Sequence, residues 1–265
     1  MLQPKDALQK LGARSILLAE DLELNQRLVK HIVEGWGFRV DIADNGAIAL
    51  EKLQKNEYDL ILMDIQMPVM DGVEATRQIR SWKNSKADIL IIAVTANSLQ
   101  EDVIKYRAAG IDDVVPKPVN ELNLLNVIDK NLQQKKDSSE IHRTMELTHS
   151  AEHPIYSLEL LHSFSSDEQF IKEMIVMFVN SIPEYVELLK THSEADEWEQ
   201  VEKVAHKIKG TISYLKVEEA MAEVAILRNY VAEDKRSLRA STERLIKVLE
   251  FCAAVMKREL LNDAQ

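Results

Sequence analysis

Short apolar runs alternate with amphipathic segments five times between residues 14 and 132. The runs have the length and composition of β-strands, and the segments between them repeat apolar residues at helical spacing. The predicted strands are Ser15 to Ala19, Val40 to Ala43, Leu60 to Met63, Ile89 to Val94 and Val114 to Val115. The predicted helices are Asn25 to Trp36, Ala47 to Lys55, Val73 to Trp82, Leu99 to Ala108 and Glu121 to Leu132. This alternation predicts one parallel sheet with helices on both faces, a doubly wound α/β domain.

Polar side chains stand at the carboxyl ends of these strands, where doubly wound sheets place their sites. They are Glu20, Asp21, Asp64, Thr95 and Lys117. Singly, each could be a helix cap, a turn residue or a surface charge, but their shared placement at strand ends favours one site. Clustered carboxylates repel one another unless a cation joins them, and Mg²⁺ prefers such oxygens and also accepts phosphate oxygens. A carboxylate can itself act as a nucleophile and form an aspartyl phosphate. These residues therefore favour a phosphate site with a divalent metal.

The motifs around these positions resemble those of response-regulator receiver domains, over almost all of residues 14–132. The matching motifs are Glu20-Asp21, Met63-Asp64, Met67-Pro68-Val69-Met70-Asp71-Gly72, Thr95-Ala96 and Lys117-Pro118. The resemblance implies a flavodoxin-like fold in which Asp64 is the phosphoacceptor. It implies that Glu20, Asp21, Asp64 and the backbone carbonyl of Gln66 hold Mg²⁺. It also implies that Thr95 and Lys117 contact the phosphoryl group.

Three further expectations come from the same resemblance. The peptide between Lys117 and Pro118 is expected to be cis, a geometry that costs little only before proline. Gln66 and Asn97 occupy positions that tune how fast the phosphoryl group is hydrolysed. Val114 stands where receiver domains commonly carry an aromatic residue whose rotamer reports phosphorylation, so this chain departs from the family pattern there.

In the second half of the chain, Gly210 interrupts a helical pattern four residues after His206. A glycine within a helix costs about 1 kcal/mol relative to alanine, which indicates a role other than helix stability. The predicted buried stripe consists of Val201, Val204, Ala205, Ile208, Ile212 and Leu215. His206 lies off that stripe, on the side of Lys203, Lys209 and Gly210. We expect an exposed imidazole, beside two ammonium groups and a gap in side-chain bulk, where an anion can meet a nitrogen nucleophile. The alternative is an ordinary solvated histidine.

The segment Ala205-His206-Lys207-Ile208-Lys209-Gly210 resembles the signature of histidine phosphotransfer (HPt) domains. In that family an exposed histidine on a four-helix bundle is followed by a hydrophobic residue, a lysine and a glycine. The resemblance extends from about Tyr156 to Leu260, through a Phe170 to Leu189 helix that contains Pro183. It implies an all-α four-helix bundle in which His206 is phosphorylated and in which Lys209 and Gly210 belong to the site.

The sequence predicts four segments: a leader (1–13), a receiver domain (14–132), a linker (133–155) and an HPt domain (156–262). The linker is predicted from its polar run and from Pro154. Its three histidines, His142, His149 and His153, favour a solvated linker over a metal site, because no cysteine or firm helix accompanies them.

Composition narrows the class of protein. The chain has 265 residues, 46% of them hydrophobic, which is enough for two cores. Neither a run of 18 apolar residues nor a signal peptide is evident, so we expect a cytoplasmic protein without membrane contact. Residues 1–132 carry 16 basic and 20 acidic side chains, a net charge of −4, and residues 133–265 carry 17 and 24, a net charge of −7. This acidity argues against nucleic-acid binding and against a DNA-binding regulator. Cys252 is predicted to be a buried core residue.

These features predict a phosphorelay protein that exchanges a phosphoryl group between Asp64 and His206 and passes it to a downstream response regulator receiver. The Gly-X-Gly segment Gly35-Trp36-Gly37 falls between a helix and a strand, which indicates a turn and not a nucleotide loop. A histidine kinase is therefore implied upstream, as a separate protein or in the same polypeptide. The domain order resembles the C-terminal end of hybrid sensor histidine kinases.

Other functions fit parts of the pattern. The HPt domain and the receiver could together form a phosphate sink, or the chain could be a silent interaction module. A silent receiver would be expected to lack Asp64, Lys117 or one of the acidic pair, and all are present. A phosphohydrolase with an aspartate nucleophile usually needs a second aspartate two residues on, where this chain has Gln66.

Overall fold

The computed structural model describes residues 12–96, 100–133, 155–229 and 235–261. The chain divides into two compact units, with the boundary between residues 148 and 149, outside the described residues. Asn97, most of the predicted leader and almost all of the predicted linker, with its three histidines, also lie outside them. Within the described residues, the first unit is α/β and the second is helical.

The first unit is built around a five-stranded parallel sheet. Its strands are β1 (Ser15–Ala19), β2 (Arg39–Ala43), β3 (Leu60–Asp64), β4 (Leu90–Thr95) and β5 (Asp113–Pro116). They lie in the order β2-β1-β3-β4-β5, and every neighbouring pair is parallel. This is the flavodoxin-like order of a doubly wound sheet, so the predicted fold class is confirmed. The central strand β3 is buried at every position, which explains its continuous apolar run.

Helices follow each strand of this sheet. They are α1 (Glu23–Gly35), α2 (Gly46–Lys55), α3 (Gly72–Arg80), α4 (Gln100–Ala108) and α5 (Glu121–Gln133). Asn45 and Asp71 begin α2 and α3, because their side-chain oxygens accept the N–H groups of Ile48 and Glu74. A short 3₁₀ turn, Ser85–Asp88, precedes β4.

At the edge of the sheet where the strands begin, two basic side chains donate hydrogen bonds to backbone carbonyl oxygens. The Lys86 Nζ, from the 3₁₀ turn, donates to Leu53, Gln54 and Asn56 at 2.8, 3.2 and 2.9 Å. The Arg80 guanidinium, at the end of α3, donates to Gly110, Ala87 and Ile89 at 2.8, 2.6 and 2.8 Å. These side chains satisfy acceptors that helix ends and loops leave open.

The second unit consists of helices. They are α6 (Glu159–Phe164), α7 (Glu168–Glu194), α8 (Trp198–Ile212), α9 (Glu218–Arg228) and α10 (Lys235–Met256). A 3₁₀ turn, Ser213–Leu215, follows α8, and a π-helical turn, Lys257–Leu261, follows α10. Helix α7 packs against α8 and α10, and α9 packs against the same two helices. The predicted four-helix bundle is therefore confirmed, and Pro183 lies within α7 as expected.

The apolar stripe predicted around His206 belongs to the core of this bundle. All six of its residues are buried, although Leu215 lies in the 3₁₀ turn and not in α8. Cys252 is buried in α10 among apolar neighbours, as predicted. Among the helices of the described residues, none combines the length and the apolar composition needed to cross a bilayer.

Candidate functional site

Three carboxylates meet at the carboxyl edge of the sheet. Glu20 and Asp21 directly follow β1, and Asp64 ends β3, which pairs with β1. One carboxylate oxygen from each lies within 4.8 Å of the other two. Glu20 is 1% exposed and Asp64 3% exposed, whereas Asp21 is half-buried. The structure thus brings together the three acidic residues that the sequence placed at strand ends.

Lys117 joins two of these carboxylates. Its Nζ lies 2.6 Å from Oε2 of Glu20 and 2.7 Å from Oδ2 of Asp64, and its side chain is 6% exposed. The residue follows β5, and its backbone N–H donates to the carbonyl of Thr95 at 2.8 Å. The peptide between Lys117 and Pro118 is cis, as expected. A buried ammonium between two carboxylates offsets part of the cost of burying their charges.

Burial and charge compete in setting the pKa values of this cluster. Burial raises the pKa of Glu20 to about 7, against the attraction of Lys117 and with the repulsion of Asp64. Burial also raises the pKa of Asp64, although Lys117 opposes that shift. Burial alone would lower the pKa of Lys117, but the charges of Glu20 and Asp64 reverse this and raise it well above its usual range. Lys117 therefore stays charged at neutral pH, and burial favours the protonated form of both carboxyl groups.

Two amide side chains of α1 hold Glu20 in place, and sequence reasoning missed both. The Asn25 Nδ2 donates to Oε1 of Glu20 at 2.9 Å. The Gln26 Nε2 donates to the backbone oxygen of Glu20 at 2.6 Å and to Oδ1 of Asp44 at 2.9 Å. Both amides are buried. The available signal was a polar residue on the buried stripe of α1, since Asn25 precedes Val29 and Ile32 at helical spacing.

The chain after Asp64 folds back closely onto its strand. The backbone N–H of Gln66 donates to Oδ1 of Asp64 at 3.2 Å, while the Gln66 side chain is exposed. Gly72 begins α3 so close to β3 that a Cβ there would lie 2.1 Å from the Asp64 carbonyl oxygen. Between them, Val69 is 88% exposed and has a φ of 69°, a left-handed conformation that β-branched residues rarely adopt.

Thr95, the last residue of β4, contacts a tyrosine that the sequence did not predict as part of the site. The Thr95 side chain is 3% exposed and Tyr106, from α4, is 6% exposed; the Thr95 hydroxyl acts to lower the pKa of the Tyr106 phenol. Burial raises the pKa of Tyr106, so the phenol stays protonated at neutral pH. Val114 is half-buried and packs against the same core, so an aliphatic side chain fills the position that is aromatic in many receiver domains.

His206 lies in α8 and is half-buried, which corrects the expectation of an exposed imidazole. Its Nδ1 is shielded from solvent. Gly210 is buried, so it does not form an open gap on the surface. Lys203 is exposed as expected, but its Nζ donates to Glu199 at 2.8 Å. His206 is more buried than expected because α7 and α9 both pack against α8 and leave only a narrow part of that helix facing solvent.

A second cationic side chain near Lys209, Arg228, was not predicted from the sequence. Burial lowers the pKa of Lys209, and the charge of Arg228, at the end of α9, lowers it further. The Arg228 side chain is 13% exposed, and its Nε lies 3.9 Å from Oε1 of Glu202. Lys209 and Arg228 lie on adjacent helices of the bundle, α8 and α9. No local sequence pattern therefore predicts that their positive charges are close together.

The two units match two different family models. The response regulator receiver domain model matches residues 16–129, and the Hpt domain model matches residues 173–260. The acidic cluster, Thr95 and Lys117 lie within the first match, and the His206 segment lies within the second.

Similar curated proteins include sensor histidine kinases. The aerobic respiration control sensor protein ArcB of Escherichia coli (strain K12) is 32% identical over 202 residues, which are 76% of this chain and 26% of ArcB. The sensor histidine kinase GacS of Pseudomonas protegens is 27% identical over 232 residues, which are 83% of this chain and 24% of GacS. The chain therefore spans only 26% and 24% of the length of these two curated relatives.

Solved structures similar to this chain include the receiver domain of sensor histidine kinase PA1611 from Pseudomonas aeruginosa PAO1, which has a magnesium ion in its active-site cleft. The identity is 36% and the TM-score 0.42, with 46% of this chain and 97% of that chain covered. By its family matches, the chain belongs to the response regulator receiver domains over residues 16–129 and to the Hpt domains over residues 173–260, a combination that fits a two-component phosphorelay.

Proposed function

We propose that this chain relays a phosphoryl group between Asp64 and His206. The observation that carries the proposal is the site at the carboxyl edge of the sheet, where Lys117 Nζ lies 2.7 Å from Oδ2 of Asp64 within a carboxylate cluster. The same chain carries, on α8, a histidine beside a cationic residue, Lys209. Each site can accept a phosphoryl group, because each offers a nucleophile, the Asp64 carboxylate or the His206 imidazole, beside a positive charge.

At Asp64, transfer would form a bond between a carboxylate oxygen and phosphorus and break the bond between phosphorus and the donor nitrogen. The leaving nitrogen keeps the electron pair of that bond. Lys117, which stays charged, and Thr95 would stabilise the phosphoryl oxygens during transfer. The N–H of Gln66 orients the carboxylate through its hydrogen bond to Oδ1.

The acidic cluster fits a divalent cation. Glu20, Asp21 and Asp64 offer three hard oxygen ligands within 4.8 Å of one another, the ligand type that Mg²⁺ prefers. We propose that these carboxylates hold Mg²⁺, together with the backbone carbonyl of Gln66. When bound, the ion supplies positive charge to the phosphoryl oxygens.

At His206, we propose that Nε2 accepts the phosphoryl group, because Nδ1 is shielded from solvent. Lys209 and Arg228 would offset the negative charge that the imidazole acquires. Gly210 would serve the site by keeping the helix free of a side chain one turn after the imidazole.

The proposed partners are a histidine kinase upstream and a response regulator receiver downstream. The similarity to sensor histidine kinases, of which this chain spans about a quarter, supports a kinase in the same or a separate polypeptide. In the structure Gly35 ends α1 and Gly37 has a φ of 84° before β2, so this Gly-X-Gly segment is a turn. A cytoplasmic location stays a prediction.

Labelling of the full chain with acetyl phosphate tests the two acceptor residues. Wild type should be labelled in Mg²⁺ and not in excess EDTA. Asp64→Asn should take no label, and His206→Gln should be labelled on Asp64 alone. Asp41→Asn is the matched control, because it removes an exposed carboxylate from β2 of the same domain. Undiminished labelling of Asp64→Asn, or labelling of wild type in EDTA, contradicts the proposal.

The route of transfer can be measured with the same variants. Phosphorylated His206→Gln can pass its phosphoryl group to Asp64→Asn only between molecules, whereas wild type can also use transfer within one chain. We predict that at low micromolar concentration the mixture is slower than wild type, because tethering gives a high effective concentration. A mixture that matches the wild-type rate and scales with concentration would show that transfer occurs between chains.

A further inference from the structure

Asn25 places the nitrogen end of its amide against the acidic cluster. Its Nδ2 donates to Oε1 of Glu20 at 2.9 Å, and the residue is 1% exposed. An ionised carboxylate only accepts hydrogen bonds, so the NH₂ group faces Glu20 and the amide oxygen faces another way. Among the described residues, that oxygen, Oδ1, has no hydrogen-bond partner, and it is shielded from solvent. A buried acceptor without a partner is costly, which indicates a role for this amide beyond packing.

The hydrogen bonds to Glu20 leave little of its carboxylate for a metal ion. An ionised carboxylate has about four acceptor positions, shared equally by its two oxygens. Oε1 accepts from the Asn25 Nδ2 and also from the backbone N–H of Leu22, at 3.3 Å. Oε2 lies 2.6 Å from the Lys117 Nζ. The positions on Oε1 are therefore taken, and Glu20 can reach an ion only through the position that remains on Oε2.

This restriction distinguishes between divalent cations. Mg²⁺ demands near-ideal octahedral geometry and keeps several waters, whereas the larger Ca²⁺ takes more ligands and often binds both oxygens of one carboxylate. A carboxylate limited to one oxygen suits the first ion and withholds a ligand from the second. The Asn25 Oδ1 belongs to the same amide and so stays close to Glu20. It can accept a hydrogen bond from a water that Mg²⁺ retains.

We propose that Asn25 is a positioning residue that makes the acidic site prefer Mg²⁺ over Ca²⁺, because it restricts Glu20 to one ligand oxygen and offers an acceptor to metal-bound water. The inference rests on the proposed metal site of Glu20, Asp21 and Asp64, and it names the residue that sets the selectivity of that site. Asn25 acts through Glu20 and is not itself a metal ligand. The Leu22 N–H that shares Oε1 belongs to the backbone, so Asn25 is the side chain through which the restriction can be removed.

Asn25→Leu tests the proposal, because leucine has nearly the size of asparagine and cannot donate to Glu20. Calorimetric titration of the full chain measures its Mg²⁺ and Ca²⁺ affinities without any phosphodonor. We expect the Mg²⁺ affinity to fall about tenfold, the usual effect of removing a residue that orients a metal ligand. The Ca²⁺ affinity should fall less or rise, because both Glu20 oxygens become available. Asn131→Leu is the matched control and should change neither affinity, because the Asn131 Nδ2 bonds Oδ2 of Asp113 at 2.8 Å, where β5 begins.

Two further variants separate this positioning role from an effect on folding. Asn25→Asp keeps the size of the side chain and, when ionised, also cannot donate to Glu20. It should shift the preference towards Ca²⁺ as well, whatever its added charge does to the overall affinity. In a Glu20→Gln background, Asn25→Leu should leave the ratio of the two affinities unchanged, because Asn25 acts through the Glu20 carboxylate. Hydrogen exchange in EDTA reports whether each variant keeps its fold.

An unchanged ratio of Mg²⁺ to Ca²⁺ affinity in both Asn25 variants overturns the inference. An equal shift of that ratio by Asn25→Leu with and without the Glu20 carboxylate overturns it too. If wild type binds neither ion, or if Asp64→Asn binds Mg²⁺ as tightly as wild type does, the proposed metal site itself fails.

Discussion

The ammonium of Lys117 lies 2.6 Å from a carboxylate oxygen of Glu20, and both side chains are almost completely buried. Removing one partner of a buried ion pair leaves an uncompensated charge, which is the expensive outcome in a protein interior. The pair therefore makes the stability of the first unit depend on one lysine.

Lys117→Met is expected to destabilise the first unit by about 3 kcal/mol in the absence of Mg²⁺, because Glu20 and Asp64 lose their shared cation. Hydrogen exchange of β1 and β3 amides in the full chain measures the opening free energy of this unit alone. Lys130→Met is the control, since the Lys130 side chain is 49% exposed and Asp113, 3.1 Å from it, keeps the hydrogen bond from Asn131. That change should cost less than 1 kcal/mol. Equal costs for the two variants would contradict the structural argument.

In metal-free protein, stability should fall as pH rises from about 4.5 through 7. The folded protein holds a proton on Glu20 up to a pKa of about 7, against 4.5 when unfolded, so the folded state binds more protons in this window. The stability that this proton contributes is complete below about 4.5 and amounts to roughly 3 kcal/mol, which is lost above 7.

Unfolding in EDTA at a series of pH values measures this slope. Glu20→Gln should reduce the slope and leave the part that comes from the raised pKa of Asp64. Saturating Mg²⁺ should reverse the slope, because the ion binds the ionised carboxylates and competes with the proton. If Glu20→Gln leaves the dependence of stability on pH unchanged, that dependence comes from another group.

Gly72→Ala should damage both fold and site. The added Cβ would lie 2.1 Å from the Asp64 carbonyl oxygen and 2.8 Å from the Met63 side chain, so α3 or β3 must move. We expect a loss of several kcal/mol in stability and a labelling rate at Asp64 reduced more than tenfold. Gly35→Ala is the control, because its Cβ meets nothing within 4 Å, and it should stabilise α1 by about 0.5 kcal/mol. Normal labelling of Gly72→Ala would show that this close approach does not set the position of Asp64.

On the second unit, Arg228→Gln should raise the pKa of Lys209, since the nearby positive charge that lowers it is removed. The same change should also slow the transfer of a phosphoryl group to His206 by about tenfold, the effect of one charge-assisted hydrogen bond. ¹⁵N chemical shifts of lysine Nζ follow the first effect, and transfer from a phosphorylated receiver follows the second. Lys203→Gln is the control, because Lys203 is exposed and paired with Glu199. An equal slowing by both variants would point to general charge and not to Arg228.

The sequence predicted the α/β unit well because the elements carry strong local signals. Its strands agree with the observed bounds within one residue, and its helices agree within two. The strand-end residues followed from topology, since parallel strands bring their carboxyl ends to one edge. The short helix α6 went unpredicted, because six residues are too few to show a helical period.

What the sequence did not predict depends on contacts between elements. Tyr106 is 11 residues from Thr95, and Arg228 lies on a different helix from Lys209. Whether such side chains meet is decided by how helices pack, which no local pattern records. The half-burial of His206 has the same origin. Helical periodicity gives the direction in which a side chain points, but not how far the neighbouring helices cover it.

The two edges of the sheet are held by contacts of different kinds. At the amino edge, Lys86 and Arg80 fasten six carbonyl oxygens that belong to segments distant in sequence. At the opposite edge, the contacts are the buried ion pairs of Lys117 with Glu20 and Asp64, which a bound metal ion would rearrange. Chemistry at Asp64 therefore acts at the edge that its own ion pair helps to hold. We expect its effects in the loops and helix starts around that edge.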